Sequence, residues 1–358
     1  MTLNEFFAAH PKCALGFSGG VDSAVAARLL LEQGFRVVGL YLDIGLGGSG
    51  LADARAVADR LSIPLEVADI RAALEERVCA PFARDYLEGR TPLPCARCNR
   101  QVKFPALLAL AERLGGGRAA TGHYARVREG RLYRGMPAND QSYMLARLTR
   151  AQLQQVLFPL GDYEKTQVRA LAREMGLPVA DKPDSMEICF IPDGDYAAWL
   201  DRRGDTPPPG DFVDEAGRVL GRHKGIHHYT LGQRRGLGIP AASRLFVAGL
   251  RPEENQVVLS ADNGALMADQ VDCRAVNWLI DPPAGPLEAQ VRLRHSKVSL
   301  PAQVLPEADG RARLLLREPG RAPTPGQLAV FYQDELVLGS AWIEAARPAR
   351  AGEEEGQG

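Results

Sequence analysis

Two short stretches hold side chains whose types and spacing could do chemistry. Residues 17–23 read FSGGVDS, and residues 95–98 read CARC. Paired glycines let backbone N–H groups approach phosphate closely, and a helix that follows presents its positive end. A loop built to grip a γ-phosphate for transfer has the form G-x-x-x-x-G-K-[ST], and no lysine follows here. The loop therefore suits holding a pyrophosphate, with a nucleotide cut between its α and β phosphates and an adenylate left on the substrate. An ordinary glycine turn would need only the two glycines, whereas the whole SGGVDS pattern at a strand end is more specific. The pair Cys95 and Cys98 sits just before a helical pattern, with Arg97 and Arg100 nearby. A thiol so placed is expected to have a lowered pKa and more thiolate, the form that attacks sulfur or binds metal. A structural zinc knuckle is the plainer alternative, but it needs two further ligands at suitable spacing, and no second CxxC follows. A third cysteine, Cys189, lies in KPDSMEICFIPDGDY, residues 182–196; flanked by Ile188 and Phe190, on its own it reads as a core cysteine.

The elements that must position these groups follow from periodicity. Residues 13–17, CALGF, form a short apolar run that stops at the glycines. Residues 24–31 read as a helix ending near Gly34, residues 36–42 as a β-branched buried strand, 52–63 as a helix and 65–70 as a strand. This alternation predicts a parallel sheet with helices on both faces, whose ligands sit at the carboxyl ends of strands. FSGGVDS is at such an end. Residues 104–115 give an amphipathic helix with a glycine stop, 118–126 a strand and loop, and 164–185 a capped helix followed by a polar loop. Near residue 201 the composition turns rich in proline, glycine and charge. Beyond it come short β-like runs (LFVAGL, NQVVLS, EAQVRLR, LPAQVLP, RARLLLR, QLAVFYQ, ELVLGSAWI) at the spacing of small β-barrels. The last residues lack apolar content and read as a disordered tail.

The whole chain sets bounds. It has 358 residues, 46% hydrophobic and 24% charged, enough apolar material for a substantial core in more than one domain. No apolar run approaches the ~20 residues of a membrane span. MTLNEFF lacks a basic start and a long apolar core, so a cytoplasmic location is expected and no membrane. Six scattered cysteines do not make a disulfide scaffold. Net charge is −1, so nucleic-acid contact must come from local patches. One is at hand: Arg218 to Arg251 holds seven Lys/Arg and no Asp or Glu, with His223, His227 and His228 among them. Such a stretch suits a phosphate backbone, though it could equally be a solvated loop. VRLRHSK, residues 291–297, adds a second basic segment in which Arg292 and Arg294 share one strand face.

SGGVDS resembles the signature of the PP-loop ATP pyrophosphatases. GFSGGVDS, TPLPCARCN, ATGHYAR, NDQSYML, KPDSMEICFIPDGDY, GRHKGIHHYTLGQRRGLGI and the final PGQLAVFY together resemble the tRNA-uridine 2-sulfurtransferase (2-thiouridylase) family, across roughly residues 14 to 342. The resemblance implies an adenylating α/β domain over 1–200, a β-rich connector over 201–263, a C-terminal β-barrel over 264–346 and a tail over 347–358. It implies ATP-dependent 2-thiolation of a wobble uridine in tRNA, with Mg²⁺ on the nucleotide and a sulfur-donor protein or sulfide source as partner. Gly16, Phe17, Ser18, Gly19, Gly20, Val21, Asp22 and Ser23, with Leu42 and Gly122, would line the ATP site, and Asp22 would orient metal and pyrophosphate. Leu93, Pro94 and Cys95 would lie at the target base. His123, Asn139, Asp140, Gln141, Arg292, Leu293 and Gln327 would face the tRNA. Cys98 would hold the reaction centre and Cys189 would be its partner, carrying persulfide sulfur and later a disulfide to Cys98.

Two departures from the family pattern stand out. Many members have Asp where this chain has Cys95, and many have Lys-Asn-Trp where it has Asp43, Ile44 and Gly45. The second bears on the adenine pocket. The first opens a fork, because Cys95, Cys98 and Cys189 are thiolates enough to hold a [4Fe-4S] cluster with one open iron. The CxxC inclines the reading to the cluster; the rival keeps Cys189 as persulfide and Cys98 as nucleophile.

Overall fold

A computed structural model describes residues 11–47, 49–177, 179–182, 188–204, 206–241, 243–295 and 298–347. Pro183 to Glu187 of the third cysteine segment and the tail expected beyond Arg347 lie outside the described residues. The chain divides into two compact units. The first comprises residues up to Ala80, Pro94–Pro192 and Asp334–Leu338; the second comprises Pro81–Leu93, Asp193–Gln333 and the chain from Gly339.

The first unit is built on a five-stranded parallel sheet. Its strands are β1 (Lys12–Gly16), β2 (Arg36–Asp43), β3 (Leu65–Asp69), β4 (Arg118–Ala120) and β7 (Val156–Leu157), in the order β3-β2-β1-β4-β7. Central β1 is buried through Cys13, Ala14 and Leu15, and edge strand β3 is largely open. Helices α1 (Val21–Glu32), α2 (Gly50–Leu61) and α4 (Lys165–Glu174) share one apolar cluster with this sheet. Ala24, Val25, Ala26 and Ala27 at the centre of that cluster have no exposed surface, and the three small alanine side chains bring α1 close to its neighbours. Helix α3 (Phe104–Arg113) packs on β1 and β4 with Leu107 and Leu110 fully buried. The chain reverses its direction of travel across the sheet after β3, so right-handed crossovers put α3 on the opposite face from α1 and α2. The sheet reversal therefore falls at β1, and the loop after β1 opens into the switch-point crevice where α/β sheets bind ligands. A hairpin, β5 (Ala125–Arg128) with β6 (Arg131–Arg134), completes the unit, β6 pairing with Leu336 through Tyr133.

In the second unit, helix α5 (Tyr196–Arg203) precedes a four-stranded sheet of β8 (Gly210–Val213), β9 (Val219–His223), β10 (Phe246–Arg251) and β11 (Gln256–Ser260), ordered β10-β11-β8-β9. Phe212, Ile226, Tyr229, Val247, Val257 and Leu259 form its core. β12 (Met267–Trp278), β13 (Leu287–Arg292), β14 (Leu300–Pro306), β15 (Ala312–Arg321), β16 (Leu328–Gln333) and β17 (Leu336–Arg347) follow in the order β12-β15-β14-β13-β16-β17. Pairing of β12 with β17 closes these antiparallel strands into a six-stranded barrel, which removes the open sheet edges. All seven runs read as strands in the sequence are strands here; β8, β9 and β12 were not expected, because charged and glycine residues break their alternation.

Candidate functional site

The site grows from the end of β1. The backbone N–H of Phe17 donates to Leu40 O at 2.9 Å, so the chain stays in the sheet until Ser18. Gly19 then adopts φ +76°, and a Cβ there would stand 2.6 Å from the backbone nitrogen of Ala54 in α2. Only glycine meets both demands. Gly20 is the N-cap of α1 and offers no side chain to the N–H groups of its first turn. Those groups face outward as an anion-binding end. Ser23 Oγ donates to Gly20 O at 2.9 Å and fixes the loop from below. A Cβ at Gly122, after β4, would fall 2.9 Å from Asp22 C, so that glycine lets the second loop close onto the first. Leu42, half-buried, sits at the end of β2 beside this crevice.

Asp22, on the first turn of α1, is the most heavily bonded group at the loop. Lys165 Nζ donates to both of its oxygens at 2.7 and 2.8 Å, and the Tyr124 hydroxyl donates to Oδ1 at 2.6 Å. Lys165 opens α4, whose N-cap Glu164 forms a reciprocal capping box with Gln167. The lysine missing from the loop thus has a counterpart 143 positions away, which the loop pattern does not reveal. The signal available was the capped helix start itself, which puts a cation at the carboxyl edge of the sheet. Lys182, beyond α4, pairs with Asp53 on α2, holding that carboxyl below its usual range.

Asp140 and Gln141 are engaged internally. Asp140 accepts from the N–H groups of Gly135 and Ser142, each at 3.0 Å, and Gln141 exchanges bonds with the Tyr124 backbone at 2.8 and 3.0 Å. They brace the turn that carries Asn139 and Tyr124. His123 Nδ1 bonds Thr121 Oγ1 at 2.7 Å, and its ring packs against both Phe104 and Phe158, which also touch each other. Burial, then the Lys103 charge, holds His123 well below the usual imidazole range. It is a neutral histidine.

Cys95 and Cys98 lie within a helical stretch rather than before one. Pro94–Cys98 is α-helical, Asn99–Lys103 is a π-turn closed by Phe104 N–H on Asn99 O, and α3 continues from there. The expected lowering of their pKa is not found. Burial pushes both thiols up, and it is the Lys103 charge, not Arg97 or Arg100, that works against the rise. Arg100 instead donates to Arg147 O at 3.2 Å. Cys189 is exposed, which corrects its reading as a core cysteine, yet the protein around it pushes its thiol up to about 11. Cys95 and Cys98 both act on it electrostatically, so the three thiols share one neighbourhood. They do not converge as a single zinc ion would require: among the described residues the one group with ligand atoms all within 4.8 Å of each other is Asp201, His227 and His228. No disulfide joins any two of the six cysteines.

The expected RNA-facing groups of the second unit are mixed. Arg292 and Leu293 are only 4% and 7% exposed, with the Arg292 guanidinium 5.9 Å from the Tyr332 ring centre, so they offer little side-chain surface. Gln327 Nε2 donates to Thr91 O at 2.9 Å, tying β16 to the segment that carries half-buried Leu93. The basic stretch is partly spent. Arg218 pairs with Asp214 and Arg222 with Asp211, each at 3.0 Å, while Lys224, Arg234, Arg235 and Arg244 are exposed. Among its histidines, His223 and His227 are 2% and 1% exposed, and burial lowers the pKa of His223 and His228.

Comparison with known proteins bears on all three regions. Residues 11–193 match the profile of the tRNA methyl transferase HUP domain, 198–261 the tRNA methyl transferase PRC-barrel domain, and 268–343 the aminomethyltransferase beta-barrel domain. The tRNA-specific 2-thiouridylase MnmA of Rhodospirillum centenum is 45% identical, covering 95% of this chain and 93% of its own. That of Carboxydothermus hydrogenoformans is 43% identical over 93% of this chain and 97% of its own. Among solved structures, a 4-thiouridine synthetase–RNA complex with bound ATP covers 54% of this chain and 50% of its own at 17% identity and a TM-score of 0.36, a likeness too slight to add to the argument. With relatives this similar along nearly their whole length, and with SGGVDS, CxxC and Cys189 gathered on one α/β unit, the chain belongs to the tRNA-specific 2-thiouridylase family.

Proposed function

We propose that this protein uses ATP to replace O2 of a wobble uridine in tRNA by sulfur, releasing AMP and pyrophosphate. The observation that carries the reading is the juxtaposition, within one compact unit, of an uncapped glycine-loop helix end, the Asp22–Lys165–Tyr124 group and three mutually interacting thiols. Gly19 lets the loop lie against α2, a Cβ at Gly20 would meet only Ser18 Oγ at 3.5 Å, which leaves the head of α1 open to a phosphate, and Asp22 is the carboxylate at hand for a phosphate-bound Mg²⁺, which would neutralise the polyphosphate. The segments 1–200, 201–263 and 264–346 are taken as adenylating domain, connector and barrel, with the exposed cations after β9 and Leu93 to Cys95, His123, Asn139 and Gln327 toward the RNA.

In this scheme uridine O2 attacks the α-phosphate and pyrophosphate leaves, turning a poor leaving oxygen into adenylate. The target base must leave the anticodon stack to reach the crevice. The outer sulfur of a persulfide on Cys189 then adds at C2 and AMP departs. Cys98 attacks the inner sulfur of Cys189, 2-thiouridine is released, and a Cys98–Cys189 disulfide is left for an external reductant. The exposure of Cys189 favours this route, because a sulfur-donor protein can reach it. The cluster alternative draws on the same three thiols, which are chemically suited donors.

The deciding experiment incubates the protein with ATP, an unmodified tRNA, a persulfide-bearing sulfurtransferase as sulfane-sulfur donor and a thiol reductant, digests the RNA and looks for 2-thiouridine by mass spectrometry. One AMP per 2-thiouridine is expected, and AMP release that ignores tRNA would sink the proposal. Iron and acid-labile sulfide measured on anaerobically purified protein and its Cys95→Ser variant separate the sulfur routes: near-stoichiometric cluster, lost in the variant, replaces the persulfide.

A further inference from the structure

The loop after β1 lacks the lysine that other phosphate-binding loops carry at their helix start. The fold brings one from α4. Lys165 Nζ is 2.7 and 2.8 Å from the two oxygens of Asp22, one residue past the start of α1. It is positioned by more than this pair. The capping box of Glu164 and Gln167 fixes the start of α4, and the ammonium stands 5.8 Å from the centre of the Tyr124 ring. The Tyr124 ring is 2% exposed, and its hydroxyl bonds the same Asp22 oxygen. The Lys165 side chain keeps 18% of its surface exposed and that of Asp22 keeps 31%, so the pair lies at the wall of the crevice and not in the core. The N–H groups at the head of α1, which carry no side-chain cap, open beside it.

We propose that Lys165 is the phosphate-gripping lysine of this site, latched on Asp22 until nucleotide arrives. A polyphosphate at the head of α1 would sit within reach of the ammonium, and a phosphate-bound Mg²⁺ would compete with the ammonium for Asp22. Binding then exchanges one ion pair for two: Asp22 turns to the metal, and Lys165 turns to the β-phosphate side that becomes the leaving pyrophosphate. Two carboxylate bonds and the Tyr124 ring hold the lysine in place beforehand, so little side-chain freedom is lost when the phosphate replaces the carboxylate. The assignment rests on reading the loop as an ATP site, but not on what is thiolated.

The test is a set of calorimetric titrations of the full chain with α,β-methylene-ATP, pyrophosphate and AMP, needing neither tRNA nor sulfur. Lys165→Met is expected to weaken the ATP analogue and pyrophosphate by about 10- to 100-fold, as for a charge-assisted phosphate contact, and to leave AMP within about twofold. Lys165→Arg restores most of the loss. An unchanged affinity for the analogue, or an equal loss for AMP, overturns the assignment and leaves Lys165 as a brace of the loop. Asp22→Asn gives an independent arm should Lys165→Met not fold: with the latch partner neutralised and no Mg²⁺ present, pyrophosphate binds tighter than to wild type, and weaker or equal binding counts against the latch.

Discussion

Gly122 and Asp22 meet backbone to backbone: a Cβ on Gly122 would stand 2.9 Å from the carbonyl carbon of Asp22 and 3.0 Å from its Cβ. This contact joins the loop after β4 to the first turn of α1, and both neighbours are main chain or near it, so neither can swing aside. Gly122→Ala therefore has to push the turn that carries Asp22. ATP-dependent activity is expected to fall at least about tenfold, with a stability loss of about 1–3 kcal/mol in denaturant unfolding, the usual cost of overpacking. Gly285→Ala, where nothing lies within 4 Å, is the neutral control.

The thiols of the site are expected to be slow nucleophiles in the resting protein. The Cys189 thiol is pushed up to about 11 by the surrounding protein and then by Cys98 and Cys95. A raised value means that thiolate is scarce at neutral pH and grows as pH rises toward 11. Alkylation of Cys189 by iodoacetamide, followed by mass spectrometry, should thus quicken about tenfold per pH unit from 7.5 to 10. A rate already flat between pH 7 and 8 would mean a preformed thiolate and refute the expectation.

The sheet and the glycine loop were legible in the sequence because local pattern sets them: β-branched runs stop at glycines, and SGGVDS needs no distant partner to be recognised. What escaped depended on tertiary approach. Lys165 is one cation among 43 in the sequence, and only the return of α4 to the carboxyl edge of the sheet makes it the partner of Asp22. The thiol pKa values escaped for a related reason. Spacing suggested a helix N-terminus with two arginines, whereas Pro94 starts the helix before Cys95 and the π-turn after Cys98 leads on to Lys103, so burial outweighs the dipole. That His223 and His227 are buried, although they stand in a basic run, is likewise set by packing that the run does not encode.

The basic run should divide into two classes when charges are removed one at a time. Arg218 and Arg222 already hold Asp214 and Asp211, whereas Lys224, Arg234, Arg235 and Arg244 face solvent. In filter-binding assays with tRNA, Arg235→Gln and Lys224→Gln are each expected to weaken binding and to flatten the salt slope by up to about one unit. Arg222→Gln should change both far less. Equal losses for the two classes would show that the ion pairs open on binding, and no loss in either would remove this stretch from the RNA interface.

His223 gives a prediction about pH. It is 2% exposed; its Nδ1 accepts from Gly225 N–H at 3.1 Å and faces Gly210 N–H at 3.4 Å, and its Nε2 donates to Asn255 O at 3.0 Å. Protonating Nδ1 would set a third N–H against two others, and burial already disfavours the charge, so the pKa is lowered. For a group whose folded value is depressed, the stability it contributes is complete above the unfolded value of about 6.5 and is lost as pH falls below it. The β8–β11 sheet, which His223 ties to Asn255 at the start of β11, should accordingly loosen under mild acid before the parallel sheet does. Long-range ¹H–¹⁵N correlation of the imidazole is expected to show the neutral Nε2–H tautomer still present at pH 6, with amide exchange in β8–β11 speeding below that value. An imidazolium signature at pH 6.5 would contradict the hydrogen-bond arrangement.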